Sequence, residues 1–95
     1  MKEIMTVEDS FSTKEAGVIV SGVNTEFDPL DQSEIKQLIG DRIRIVVSEG
    51  LEIDVNVRDI AISESIVGKK NISIAVGELE GVDQVSRGSM IYAIE

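Results

Sequence analysis

The chain has 95 residues, 42% of them apolar, and 18 acidic against 9 basic side chains give a formal charge of −9. That length suits one domain around one core, and an acidic excess of this size repels phosphate backbones at long range, which makes nucleic acid a disfavoured partner. There is no cysteine and no histidine, which excludes disulfides, thiolate chemistry, cysteine-based zinc sites and the usual imidazole base near neutral pH.

The opening MKEIMTVEDS carries acids where a signal peptide has its apolar run, and no stretch approaches about 18 apolar residues. A cytoplasmic location without membrane contact is expected. Residues 4–11 alternate imperfectly and contain β-formers, which predicts a first strand ending near Ser12 and Thr13. The run from Gly17 to Val23 is apolar, β-branched and bounded by glycine, and reads as a central strand.

Residues 24–39 differ in character. Pro29 sets a turn, and Asp31 stands three residues before Glu34 in the spacing of a capping box. Ile35, Leu38 and Ile39 then fall on one face of a short helix that Gly40 is placed to end. This insertion is expected to hold the chain's only helix.

From Arg42 the period becomes 2, with Ile43, Ile45 and Val47 in one strand and Ile53, Val55 and Val57 in the next. Ser48, Glu49 and Gly50 suit a three-residue hairpin loop with Gly50 in the left-handed position, which sets Arg44 opposite Asp54 and Ile45 opposite Ile53. After Val57 the apolar positions move to Ile60 and Ile62, a slip of parity that a β-bulge at Arg58 and Asp59 would produce. Strands over 71–76 and 90–94 complete six. The expected fold is all-β: a six-stranded closed or nearly closed barrel over residues 1–95, with one short helix inserted after the second strand.

The segment from Val7 to Ser12 followed by Gly17–Gly22 resembles the opening of the second domain of elongation factor Tu and related translational GTPases, an "ED-F" strand followed by a "G-V-TG" strand. Ile39–Ile45 is similar to that family's "VGDEVEI" step, Gly68–Val76 to its "GDNVGLLL" strand, and Val85–Ile91 to its closing "RG-VL" turn. Together these span nearly the whole chain in order. The sequence departs from the pattern in the turn Lys14–Gly17, which lacks the family's arginine, and in the 24–39 insertion. The resemblance implies a translation-protein barrel, here free-standing, that docks on other macromolecules. In the family the end of aminoacyl-tRNA lies near the positions matched by Phe11, Ile19, Ser21 and Asn71. The acid and arginine that the family uses after its fourth strand have no match in Ala61–Glu64.

Two groups of residues could carry chemistry of their own. Gly68, Lys69, Lys70 and Asn71 resemble part of a phosphate loop, but Ser63 stands where its first glycine is required, so the expected role is a turn with Lys69 and Lys70 as a basic contact. Asn24, Glu26, Asp28, Asp31 and Glu34 put five oxygen-bearing side chains in one segment, yet Pro29 and Ile35 occupy the glycine and bidentate-glutamate positions of a calcium loop. No metal, cofactor or catalytic residue is expected. Among the aromatics, Phe11 and Tyr92 are expected to fill the core and Phe27 to lie under the helix. The expected function is a non-enzymatic module that binds a protein partner, with an RNA-binding accessory of translation as the alternative; a homodimer is compatible with the sequence.

Overall fold

The computed structural model describes residues 1–15, 17–47, 50–77, 85 and 87–94. Seven strands form one antiparallel sheet: β1 (Lys2–Thr13), β2 (Gly17–Val23), β3 (Arg42–Val46), β4 (Glu52–Asn56), β5 (Asp59–Glu64), β6 (Lys70–Gly77) and β7 (Met90–Ala93). The order across the sheet is β4-β3-β7-β1-β2-β6-β5. A 3-10 turn (Thr25–Phe27) and one α-helix, α1 (Gln32–Ile39), lie between β2 and β3.

The expected barrel is corrected on two points: the sheet has seven strands, and it is not closed. The reason lies at the parity slip after Val57. A bulge would have kept residues 51–62 in one ladder, but here the chain changes partner instead. The Val57 amide donates to the Asp41 carbonyl beside β3, and the Arg58 amide donates to Ala75 in β6, both at 2.8 Å. The slip therefore divides one strand into β4 and β5, which stand at opposite ends of the order. The register of the β3–β4 hairpin is as expected, with Arg44 opposite Asp54 and Ile45 opposite Ile53. Gly50 takes the left-handed conformation (φ +83°), while Ser48 and Glu49 lie outside the described residues.

β1 serves two neighbours. Lys2–Thr6 pair with β7, and Thr6–Thr13 pair with β2. The ladder slips between Glu3 and Met5, and again between Val7 and Asp9. These slips explain the imperfect alternation of the opening residues. The first sends both Ile4 and Met5 into the core; the second leaves Val7 inside and turns Asp9 and Phe11 outward. Phe11, expected in the core, is consequently 47% exposed. Tyr92 is corrected as well: it is half-buried, because Ile91 and Ala93 hold the inward phase of β7.

The core is built from Ile4, Met5, Val7, Val20, Ile43, Ile45, Ile72, Ile74 and Ile91 in the sheet, closed over by Phe27, Ile35 and Ile39 from the insertion. Burying each large aliphatic side chain contributes roughly 1.5–3 kcal/mol. Leu38, expected on the buried face of α1, is exposed instead. Ile35 and Ile39 define a narrow stripe four residues apart, and Leu38 falls beyond its margin. The capping box is formed as expected: the Glu34 amide donates to Asp31 Oδ1 at 2.8 Å, and Glu34 accepts in return from the Asp31 amide. Gly40 ends the helix by donating to Lys36.

At Gly22 the β1 and β2 backbones approach so closely that a Cβ would collide with the Thr6 carbonyl oxygen. Gly22→Ala should therefore cost about 1–3 kcal/mol of stability in urea unfolding; an unchanged midpoint would show that the two strands can separate at this point without penalty. On the outer side of β3 the Arg44 guanidinium donates to both Asp54 carboxylate oxygens, at 2.6 and 3.0 Å, and pairs with Glu52 at 3.2 Å. The hydrogen bond from Arg44 lowers the Asp54 pKa from its ordinary value. That contribution is present in full above the ordinary aspartate range and is lost as pH falls through the lowered folded value. The stability deficit of Arg44→Leu relative to the native chain should therefore shrink on acidification through the carboxylate range. A deficit that is the same at every pH would mean that the pair contributes nothing.

Candidate binding face

Odd-numbered residues of β2 point away from the core, since Val18 and Val20 point into it. Cross-strand partners share a face, so the register extends this outer surface over four strands. One row runs Phe11–Ile19–Ala75–Asp59, the next Asp9–Ser21–Ser73–Ala61, and a third Val23–Asn71–Ser63. Small side chains occupy its middle. Ile19, Asp59, Ala61, Ser73 and Ala75 line a shallow depression of about 130 Å³, and Phe11 stands beside Ile19 at one border.

Phe11, Ile19, Ser21 and Asn71, singled out from the sequence, all lie on this face. Phe11 and Ile19 are direct partners, Ser21 is 8% exposed in the middle of the second row, and Asn71 is exposed in the third. Asp9, Asp59, Ala61, Ser73 and Ala75 were not recognised from the sequence as part of it. The signal was present, because Ser73 and Ala75 alternate with Ile72, Ile74 and Val76, and a phase of small residues opposite an apolar phase marks a surface that admits close approach. What could not be read was which strands would lie beside them.

The two lysines part company. Lys69 is exposed, whereas Lys70 is held inside the fold. Its ammonium donates to the Asp28 carbonyl at 2.5 Å and to Glu64 Oε1 at 3.1 Å, and its amide donates to Asp28 Oδ1 at 3.0 Å. These bonds fasten the insertion to the start of β6. The turn before them exposes Ile66 and Val67 almost completely and is closed by the Gly68 amide donating to Ser65.

Asn24, Asp31 and Glu34 of the insertion are also engaged locally. Asn24 accepts from the Glu26 amide and donates to the Ile4 carbonyl at 2.7 Å, while Asp31 and Glu34 cap α1. Among the described residues no three Asp or Glu side chains gather where they could hold a metal ion. A groove along Gln32, Ser33, Lys36, Gln37, Gly40 and Asp41 is broad and open to solvent. Among the described residues no helix is long and apolar enough to cross a membrane.

Lys70→Ala should cost about 1–3 kcal/mol, because it leaves the Asp28 carbonyl without its donor in a partly buried place, whereas Lys69→Ala should be nearly neutral. Urea unfolding of the two variants decides this, and equal effects would contradict the assignment. No protein-family model matches the chain, and comparison with characterised proteins and with solved structures finds no match.

Proposed function

We propose that the chain is a non-enzymatic binding module that acts through a protein partner, an architecture of the kind used by the second domain of elongation factor Tu. The observation that carries this reading is the four-strand outer face, on which an exposed Phe11 and Val23 flank a floor of Ser21, Ser73, Ala61 and Ala75. A floor of small side chains lets another molecule approach the sheet closely, and apolar groups at its border supply contact area.

What supports binding over catalysis is the chemistry of the chain. It has no histidine or cysteine, and three carboxylates of the insertion, Asp28, Asp31 and Glu34, are occupied in caps and in the link to Lys70. The likeness to the translation-factor barrel rests on the residues that resemble that family, and it is supported by the way β4 runs into β5. Two residues carry the chain from one end of the strand order to the other, and their amides bond to Asp41 beside β3 and to Ala75 in β6, the neighbours of the two end strands. The chain thereby brings the two edges together at one corner, with no ladder between them.

A photo-reactive benzoylphenylalanine placed at Ala61 in living cells tests the reading, with the same group at the exposed Asn56 of β4 as control. A discrete protein adduct from position 61 and none from position 56 is the expected result. Absence of a protein adduct would sink the proposal, and an adduct to RNA alone would move the assignment to an RNA-binding accessory of translation.

A further inference from the structure

The charges around this face narrow the choice of partner. Its three rows contain two acids and no base: Asp9 at one border strand and Asp59 at the other, with the shallow depression between them. Each carboxylate is oriented by the backbone. Asp9 Oδ1 accepts from the Ser10 amide and Asp59 Oδ1 from the Ile60 amide, both at 2.9 Å. Among the described residues neither belongs to an ion pair; the pairs formed are Arg44–Glu52, Arg44–Asp54 and Lys70–Glu64. Arg58, the neighbour of Asp59, runs over Gly77 beyond the row of Ala75. Two exposed, oriented carboxylates without a cation, on either side of an apolar depression, form an incomplete electrostatic pattern.

We infer that this face binds a basic segment of a protein partner, with one aliphatic side chain in the depression lined by Ile19, Ala61, Ser73 and Ala75 and a basic residue on each side directed at Asp9 and Asp59. The inference rests on the reading of the chain as a protein-binding module and supplies the chemistry of the partner. The two carboxylates stand three strand spacings apart, about 14 Å across the sheet. Basic residues two positions to either side of an anchor share its face of an extended segment and stand about 14 Å apart, which matches that spacing. The net charge of −9 adds long-range attraction for such a segment. It also weighs against the other occupants, since a second copy would oppose Asp9 and Asp59 with its own acids, and nucleic acid would bring phosphates against them.

Titration of the isotope-labelled chain with acetyl-Arg-Ser-Leu-Ser-Arg-amide, followed by NMR, tests the inference, with acetyl-Glu-Ser-Leu-Ser-Glu-amide as control. Saturable shifts centred on Ile19, Ala61, Ser73 and Ala75 are expected for the basic peptide alone. Asp59→Asn and Asp9→Asn should each weaken that binding by about two- to fivefold, the worth of an exposed ion pair; both positions are exposed and, among the described residues, pair with no other side chain, so folding should survive, as the spectrum of each variant shows directly. An equal response to the acidic peptide, shifts confined to other surfaces, or no saturable shift would overturn the inference. A protein adduct from position 61 together with any of those results would leave the protein-binding reading standing and remove only the basic segment.

Discussion

A strand that pairs with two different neighbours along its length cannot keep one alternation throughout, and β1 is such a strand. Its first residues complete the half-sheet of β7, β3 and β4, and its last ones complete β2, β6 and β5. Both slips in its ladder lie at or near the changeover, and each moves the side-chain phase by one position. The first concentrates Ile4, Met5 and Val7 in the core, where they meet side chains from both halves. The second turns Asp9 and Phe11 to solvent and so creates one border of the outer face. Core and candidate surface thus depend on the same local irregularity.

The chain meets the same problem at its opposite seam in another way. Between β4 and β5 there is no shared ladder, and two residues join the ends of the strand order. Exposed edges of this kind invite pairing with other chains, and acids along them oppose it. Glu52 and Asp54 on β4 and Asp59 and Glu64 on β5 are placed to do so. The insertion adds a second restraint. Phe27, Ile35 and Ile39 bury against the sheet, while Asn24 bonds to Ile4 and Asp28 to Lys70, tying it to β1 and β6. A segment with so many polar side chains stays ordered because most of them satisfy backbone groups at fixed places.

Function, in this reading, follows from what the sheet leaves uncovered. The inner face is aliphatic and buried, and on the outer face of β2 and β6 the small residues Ser21, Ser73 and Ala75 lie beside Ile19, Val23 and Asn71. Small side chains contribute little contact area of their own, so recognition would fall to the borders, where Phe11, Asp9 and Asp59 stand. On the proposed reading, an acidic chain with such a surface would select its partner by charge as much as by shape.

Local pattern alone established much of this molecule. Alternation over 42–57 gave the β3–β4 hairpin with its pairs, Asp31 and Glu34 marked the start of α1, and the position of Gly50 indicated its left-handed turn. These features are legible because each is decided by residues within a few positions of one another. Of the residues taken from the family resemblance, Ile19, Ser21 and Asn71 share one face because strand period and register place them. Phe11, expected in the core, lies on the surface, because its phase depends on a bulge three residues earlier that only pairing with β2 creates. The parity slip at Val57 was visible, but not whether it bent one strand or ended it, since that depended on Asp41 and Ala75 being within reach of consecutive amides. Lys70 looked like a free base until Asp28, 42 positions away, was brought beside it. In all three cases the deciding partner is distant in sequence, and only the closing of the tertiary structure brings it within bonding distance.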